Sequence, residues 1–166
     1  ELLIKQQGLN TLQKAHILIV GLGGVGSFAA EFIARAGVGS LTIVDGDCVS
    51  LSNINRQLPA LHSTVGKNKT DVMAARLLDI NPALNLTVIN EFLSPERAWD
   101  IVTPDYDYVI DCIDSITPKL NLILSSKRKR VKIVSCMGAG GATDVSQIKV
   151  VDLMKTYNCP LAKFIR

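Results

Sequence analysis

Residues 16–57 read HILIVGLGGVGSFAAEFIARAGVGSLTIVDGDCVSLSNINRQ. The apolar run His16–Val20 predicts a strand that is buried on both faces. A glycine-rich turn follows it, then a segment with helical periodicity, and then a second apolar run, Ser40–Val44, which ends at Asp45. Strand, glycine turn, helix, strand and acid, in that order, are typical of a nucleotide-binding βαβ unit. The stretch therefore predicts an α/β domain built on a parallel sheet.

Four glycines shape the turn: Gly21, Gly23, Gly24 and Gly26. Because glycine has no side chain, backbone N–H groups in such a turn can approach phosphate oxygens, and the next helix points its positive end at the same place. Asp45, at the end of the second strand, can accept hydrogen bonds from ribose hydroxyls. The spacing also fits a dinucleotide fingerprint. The turn alone therefore leaves NAD, ATP and a turn without a ligand as open interpretations.

Between the two strands, apolar residues recur at the spacing of one helix face: Val25, Phe28, Ala29, Phe32, Ile33 and Ala36. This stripe predicts an amphipathic helix that buries these side chains. Gly37 comes next and is expected to end the helix, because glycine tolerates the left-handed conformation found at helix ends.

The segment after Asp45 is rich in polar functional groups. It contains Asp47, Ser52, Asn53, Asn55 and Arg56. A dehydrogenase needs little more than one ribose acid there, whereas cleavage of a nucleoside triphosphate needs cations and hydrogen-bond donors around three phosphates. Arg56 can clamp a phosphate, and Lys69 is a further cation at the start of a later helix. The segment therefore favours ATP.

These motifs resemble those of the ATP-dependent activating enzymes of the ThiF/MoeB/ubiquitin-activating superfamily. The shared motifs are Gly-x-Gly-Gly-x-Gly, Asp-x-Asp-x-Val-x-x-Ser-Asn-x-x-Arg-Gln, Val-Gly-x-x-Lys and the run Asp-Cys-x-Asp at 111–114. Enzymes of this superfamily form an acyl-adenylate and release pyrophosphate. The resemblance therefore implies an adenylating enzyme that uses ATP and Mg²⁺.

The resemblance also implies roles for individual residues. Arg56, Lys69 and Asp114 would be catalytic, and Asp114 would hold Mg²⁺. Gly24 would lie at the phosphates, Asp45 at the ribose and Ser115 beside the nucleotide. The full set of implied ATP-binding residues is Gly21, Gly23, Gly24, Gly26, Asp45, Asp47, Ser52, Asn53, Asn55, Arg56, Lys69, Asp114 and Ser115.

The rest of the chain continues the alternation of strands and helices. Strands are expected near residues 86–90, 106–113 and 131–136, and helices over 9–15, over 69–80 and from Ser94. A helix after Asp114 is expected to bury Ile116, Leu120, Ile123 and Leu124, and alternation over Ile148–Val151 predicts a further strand. The predicted fold is Rossmann-like and doubly wound, a mostly parallel sheet with helices on both faces. We expect one ATP-binding domain over 1–166, in a fragment that lacks the C-terminal part of its enzyme.

Acidic residues are expected to converge at one end of this sheet. Asp45 and Asp114 both follow predicted strands, and in open α/β sheets ligands gather at the carboxyl ends of strands. We expect the two carboxylates to face each other across a crevice. Asp111 could be a second ligand or a structural acid at the end of its strand, and we favour the structural role.

The last third narrows the resemblance to one branch. A Gly-Ala-Gly-Gly turn at 138–141, then Gln-Ile-x-Val-x-Asp-Leu-x-Lys-Thr and Pro-Leu-Ala, is similar to the tRNA threonylcarbamoyladenosine dehydratases. Members of that branch adenylate a carboxylate on a tRNA adenosine and close a ring with net dehydration. Alternatives are an adenylyltransferase that activates the C-terminus of a ubiquitin-like sulfur carrier, or a nicotinamide-dependent oxidoreductase or inactive nucleotide-binding module.

Charge is distributed unevenly along the chain. The net charge of +3 combines −5 over residues 1–118 with +8 over residues 119–166. The run Lys127–Arg130 has two interpretations, a solvated cluster at a helix C-terminus or a contact with RNA phosphates. The polarity supports tRNA as the partner.

The remaining features bear on compartment and partners. The four cysteines include no CxxC pair, so a zinc site made from cysteines alone is not expected. For Cys136, a reactive thiol and a spectator both stay open. No apolar run is long enough to span a membrane and there is no signal-peptide pattern, which predicts no membrane association and a cytoplasmic protein. The resemblance implies a homodimer, and the alternative function implies a sulfur-transfer or carrier protein as partner.

Overall fold

The computed structural model describes residues 3–166. The strands are β1 His16–Val20, β2 Ser40–Val44, β3 Asn85–Ile89, β4 Tyr108–Asp111 and β5 Lys132–Ser135. The α-helices are α1 Lys5–Lys14, α2 Gly26–Arg35, α3 Lys69–Ile80, α4 Pro95–Ile101, α5 Ile116–Arg128 and α6 Pro160–Ile165. Short 3₁₀ turns cover Leu51–Asn53, His62–Thr64, Val145–Gln147 and Leu153–Lys155.

The five strands form one sheet in the order β3-β2-β1-β4-β5. All four pairs of neighbours are parallel, and Val20 at the end of β1 is in register with both Val44 and Asp111. The chain moves outward from β1 first to one side and then to the other, so β1 and β4 flank the switch point at which ligands bind in such sheets. The predicted doubly wound fold is confirmed.

Helices cover both faces of the sheet. Alternate side chains of β1 point to opposite faces: Ile17 and Ile19 pack in a cluster with residues of α2 and α3. Leu18 and Val20 belong to a second cluster with residues of α4 and α5. β1 and β2 are buried on both faces, which explains why their sequences are continuous apolar runs.

The predicted buried stripe of α2 is wrong. Phe28 and Phe32 are 41% and 67% exposed, whereas Gly26, Ala30 and Ala34 are buried. The small residues recur every fourth position and let the helix backbone approach the sheet closely. The face of α2 that packs on the sheet is therefore the one with small side chains, because the large side chains of the other face would hold the helix away.

The predicted buried face of α5 is also wrong. Ile116 and Leu124 are 40% and 47% exposed, and the residues that α5 buries are Lys119, Leu122, Ser125 and Ser126. The polar members of that face are buried because they have partners: Ser126 Oγ donates to the Leu122 carbonyl at 2.8 Å, and Lys119 bonds to the end of β4. A hydrophobicity pattern cannot predict that a polar face of a helix is buried, because that burial depends on hydrogen-bond partners supplied by other residues.

The strand predicted for Ile148–Val151 does not form within the described residues. This segment joins two 3₁₀ turns, and Ile148 and Val150 are 75% and 95% exposed. Alternation specifies a strand only where a neighbouring strand supplies hydrogen bonds, and β5 pairs only with β4 here. No α-helix between residues 3 and 166 has the length and apolar character of a membrane span.

Candidate functional site

A cleft of about 570 Å³ opens at the carboxyl ends of the strands. Its walls come from the glycine turn after β1, the segment after β2, the residues after β3 and the residues after β4. The lining residues that matter below are Gly21, Gly23, Asp45, Asp47, Asn53, Arg56, Gln57, Lys69, Phe92, Cys112, Asp114 and Ser115.

Two glycines of the turn, Gly21 and Gly26, are packed too closely to carry side chains. Gly21 has a φ of +91°, and a Cβ there would lie 2.8 Å from the Cys112 carbonyl oxygen. A Cβ on Gly26 would lie 1.8 Å from the Gly21 carbonyl oxygen. Gly21 and Gly23 line the cleft, whereas Gly26 lies buried at the start of α2 and Gly24 packs against the backbone of Arg56. The first two positions can contact a ligand, and the other two shape the turn.

Asp45 ties this turn to the end of β2. Its Oδ2 accepts from the Leu22 N–H at 2.6 Å, and its Oδ1 accepts from the Asp47 N–H at 2.8 Å. A carboxylate has about four lone-pair positions, so these two bonds leave room for hydroxyl donors of a ribose. The carboxylate is therefore oriented by the backbone before any ligand binds.

Lys69 and Asp47 form an ion pair on the wall of the cleft. The Lys69 Nζ lies 2.7 Å from Asp47 Oδ2, and the Lys69 side chain is only 5% exposed. The Lys69 N–H also donates to the Asp47 carbonyl at 3.0 Å, which fixes the start of α3 to the segment after β2. An ammonium group held this way can interact with a second anion in the cleft, such as a phosphate.

Arg56 is positioned by two neighbours that sequence analysis assigned to ATP. Its Nη1 donates to the Ser52 carbonyl at 3.1 Å and to Asn55 Oδ1 at 2.9 Å. Ser52 and Asn55 do not line the cleft themselves, whereas Arg56 does. Asn53 also lines it, and its Oδ1 accepts from the Ser50 N–H at 3.1 Å. The polar segment thus presents one guanidinium and one amide to the cleft.

Asp114 and Ser115 follow β4 on the opposite wall. Both are exposed, and within residues 3–166 the Asp114 carboxylate has no hydrogen-bond or ion-pair partner. Ser115 is the N-cap residue of α5, so helix N–H groups also face this end of the cleft. Asp45 and Asp114 line the same cleft, as expected from their strand-end positions.

The carboxylates of the cleft fit a magnesium ion that arrives with a nucleotide. No group of three or more His, Cys, Asp or Glu side chains in the described chain forms a ready-made metal cage. Mg²⁺ usually binds one or two carboxylates together with substrate phosphates and water. The Asp114 carboxylate, which has no partner among residues 3–166, provides one such ligand, and Lys69 and Arg56 line the same cleft and suit the phosphates.

Two lining residues escaped sequence analysis. Gln57 lies next to Gly23, and its Oε1 is buried with no hydrogen-bond partner within the described residues. A buried polar atom without a partner is costly and points to a ligand or water in the cleft. Phe92, 74% exposed, projects from the segment after β3 and offers an apolar surface for a base. Of these two residues, only Gln57 belongs to a recognisable motif, because it follows Arg56 at the end of the second shared motif. Phe92 lies outside all of the motifs.

A buried ion pair fixes the ends of β4 and β5. Asp111 and Lys119 are both fully buried, with 2.6 Å between Oδ2 and Nζ. The ammonium also donates to Ser135 Oγ at 3.2 Å and to the Cys136 carbonyl at 2.9 Å, while Asp111 Oδ1 accepts from the Ile113 N–H at 3.0 Å. These contacts support the structural role favoured for Asp111.

Two thiols lie directly after these strand ends. Cys112 Sγ donates to Cys136 Sγ across 3.9 Å. This hydrogen bond, helped by the positive charge of Lys119, lowers the pKa of Cys136 to about 7. The same contact, together with burial, raises the pKa of Cys112.

Comparisons with known proteins identify the family of this chain. The model of the ThiF family matches residues 2–165. A tRNA threonylcarbamoyladenosine dehydratase of Haemophilus influenzae is 46% identical over 158 residues, which are 95% of this chain and 60% of that protein. The crystal structure of the Escherichia coli tRNA N6-threonylcarbamoyladenosine dehydratase in complex with ATP has a TM-score of 0.94 at 45% identity, and the match covers 97% of this chain and 66% of that one.

A relative with a different activity is also similar. A molybdopterin-synthase adenylyltransferase of Haemophilus influenzae is 38% identical over 130 residues, which are 77% of this chain and 52% of that protein. The chain thus spans only about half to two thirds of the length of these relatives. The match of the family model to nearly every residue and the identities above show that the chain belongs to the ThiF family.

Proposed function

We propose that this chain is the ATP-binding, adenylating domain of an enzyme that dehydrates threonylcarbamoyladenosine in tRNA. The observation that carries the proposal is the 46% identity to a dehydratase over 95% of the chain. The match to the molybdopterin-synthase adenylyltransferase, at 38% identity, covers only 77% of the chain. The cleft adds support, because it presents the cations and donors that a triphosphate requires.

The proposed chemistry has two steps. A carboxylate oxygen of the threonylcarbamoyl group attacks the α-phosphorus of ATP, and pyrophosphate leaves. A nucleophile within the same modified nucleoside then attacks the acyl carbon, AMP leaves and a ring closes. Adenylation is needed because a free carboxylate would otherwise have to expel oxide, which is a very poor leaving group.

The residues of the cleft supply binding and charge neutralisation for this chemistry. Arg56, held by Ser52 and Asn55, and Lys69, held by Asp47, would neutralise phosphate charge as it develops. The Gly21–Gly24 turn and the start of α2 would hold the phosphates, Asp45 the ribose, and Asn53 and Ser115 the flanks of the nucleotide. Asp114 would hold Mg²⁺, which supplies additional charge neutralisation at the phosphates when bound.

The basic last third offers a surface for RNA. Lys127, Arg130 and Lys132 line a shallow groove at the amino end of β5, away from the nucleotide cleft. Two other cations of this third have partners elsewhere: Lys119 pairs with Asp111, and Arg128 lies 5.7 Å from the centroid of the Trp99 ring. In the groove itself, Lys132 lies 5.0 Å from the centroid of the Tyr108 ring. We propose that tRNA contacts the groove through its phosphates and that the enzyme acts in the cytoplasm, as a homodimer.

A direct assay distinguishes the candidates. The protein is incubated with ATP, Mg²⁺ and tRNA that carries threonylcarbamoyladenosine, with unmodified tRNA as the matched control. We expect AMP release and loss of one water from the nucleoside only with the modified tRNA.

The second candidate is an adenylyltransferase for a ubiquitin-like carrier, favoured by the 38% identity given above. Pyrophosphate exchange that depends on a carrier ending in Gly-Gly, with no response to either tRNA, would replace the first proposal with this one. Tight NAD binding without ATP binding would remove both.

A further inference from the structure

Cys112 and Cys136 occupy equivalent positions on neighbouring parallel strands. Asp111 and Ser135 are in register, and each cysteine is the next residue. The Cys136 N–H donates to the Asp111 carbonyl at 2.8 Å, so the strand ladder continues through this point. Neighbouring strands lie about 4.8 Å apart, within the range of about 4.4–6.8 Å between Cα atoms that a disulfide spans.

The two sulfur atoms already face each other. Their separation of 3.9 Å falls to about 2.05 Å in a disulfide, a closure of roughly 1 Å for each sulfur. The Cβ atoms of a disulfide lie about 3.8 Å apart, closer than the spacing of about 4.8 Å between neighbouring strands, so closure also draws the Cβ of Cys112 toward β5. Both cysteines are half-buried and free in the structure. The other two thiols have different neighbours: Cys48 Sγ contacts Asn68 at 3.4 Å, and Cys159 Sγ contacts the Gly138 carbonyl at 3.5 Å.

The chemical environment gives the two thiols unequal roles. The thiolate is the nucleophile in thiol oxidation. The hydrogen bond from Cys112 and the charge of Lys119, whose Nζ bonds to the Cys136 carbonyl, lower the pKa of Cys136 to about 7. At neutral pH, Cys136 is therefore the thiol that reacts first, and Cys112 is the thiol beside it.

Cys112 also contacts the phosphate-binding turn. It lines the cleft, and a Cβ on Gly26 would lie 3.0 Å from its Cβ. A Cβ on Gly21 would lie 2.8 Å from its carbonyl oxygen. Any movement of Cys112 toward β5 therefore changes the surface against which the turn packs.

We propose that Cys112 and Cys136 form a redox site in which a hydroperoxide drives disulfide formation and thereby weakens nucleotide binding. The Cys136 thiolate attacks one oxygen of the hydroperoxide, the O–O bond breaks, and Cys136 becomes a sulfenic acid while hydroxide or alkoxide leaves. Cys112 then attacks that sulfur, the S–S bond forms, and the oxygen leaves as water. Two thiols are oxidised, and one hydroperoxide is reduced.

The disulfide is tested without reference to ATP. The protein is treated with hydrogen peroxide, blocked with an alkylating reagent and digested, and linked peptides are identified by mass spectrometry. We expect the Cys112–Cys136 peptide, lighter by two hydrogen atoms than the sum of its parts, in the wild type and in the matched control Cys48→Ser. It should be absent from Cys136→Ser. Oxidation of Cys136 to sulfinic acid without a linked peptide in the wild type would overturn the proposal.

The effect on the cleft rests on the proposed ATP site and is measured separately. ATP binding is compared between reduced protein, oxidised protein and oxidised protein that has been reduced again. We expect oxidation to weaken binding by about tenfold, or about 1.4 kcal/mol, and reduction to restore it, because the turn that would hold the phosphates packs against Cys112. Cys136→Ser should bind ATP as the reduced wild type does, before and after peroxide.

The two levels of failure are distinguishable. If the reduced protein binds no ATP, the proposed function fails, whether or not the disulfide forms. If the reduced and oxidised proteins bind ATP equally although the linked peptide is present, the regulatory part of the inference is overturned.

Discussion

Replacement of Lys119 by Met should destabilise the protein strongly. Both members of its ion pair with Asp111 are fully buried. In Lys119→Met, the Asp111 carboxylate keeps the hydrogen bonds from Ser135 and the Ile113 N–H but loses its only countercharge among the described residues. Breaking a buried pair in this way costs about 3–5 kcal/mol in the free energy of unfolding. For a domain of this size, that loss lowers Tm by roughly 6–20 °C.

Urea unfolding followed by circular dichroism measures this loss. Lys127→Met is the matched control, because Lys127 is an exposed lysine of the same helix, and its change should stay within about 0.5 kcal/mol. The double variant Asp111→Asn, Lys119→Met removes both charges and should recover about half or more of the loss. A loss below about 1 kcal/mol in Lys119→Met, or a double variant as unstable as the sum of the singles, would refute the reasoning.

Three further predictions concern the cleft and the opposite end of the sheet. Asp114→Ala should lower ATP–pyrophosphate exchange by about 100-fold or more, because the carboxylate that would hold Mg²⁺ at the phosphates is lost, while the free energy of unfolding changes by about 0.5 kcal/mol or less. Gly26→Ala should cost about 1–3 kcal/mol in urea unfolding and weaken ATP binding, because its Cβ would lie 1.8 Å from a backbone oxygen. His16→Gln should remove a pH-dependent component of stability. Burial lowers the pKa of His16 below 6.5, so the unfolded chain takes up a proton first, and the free energy of unfolding should fall as pH drops below 6.5.

Each of these predictions has its own control or contradicting result. Unchanged exchange in Asp114→Ala would remove its role at the phosphates. Gly140→Ala is the matched control for Gly26→Ala, because a Cβ at Gly140 would meet no atom within 4 Å. If His16→Gln loses stability with falling pH as steeply as the wild type, the effect arises from other groups.

The sequence predicted the positions of the central strands well, because a buried parallel strand is a short, continuous apolar run that can be recognised locally. The bounds of β1, β2 and α3 agree with expectation to the residue, and Gly37 has the left-handed conformation, with a φ of +85°. The placement of Asp45 and Asp114 in one cleft followed from the rule that strand ends converge. These features depend on short segments whose periodicity and flanking residues carry the signal.

Which face of a helix is buried was harder to predict, because it depends on the residues of other elements that the helix packs against. In α2, the stripe with Phe28 and Phe32 matched the expected pattern of a buried face, yet the face with Gly26 and Ala30 packs on the sheet. Where two backbones approach closely, only small side chains fit between them. The hydrophobicity pattern of α2 does not indicate how close its backbone lies to the sheet. In α5, Lys119 is buried because Asp111, on another element, satisfies it.

For the candidate site as well, the sequence predicted the types of residue, and the structure determined the contacts between them. The residue types of the proposed ATP site can be recognised in the sequence, because each motif is contiguous and its chemistry depends on residue type. They are the glycine turn, the acids at the strand ends and the cations. Tertiary structure alone decided that Ser52 and Asn55 hold Arg56, that Asp47 pairs with Lys69, and that the thiols of Cys112 and Cys136 lie 3.9 Å apart. The contacts of Arg56 are local and depend on the conformation of the turn that begins at Leu51. The other two contacts join separate segments, and their geometry is set by how the ends of the strands align in the sheet.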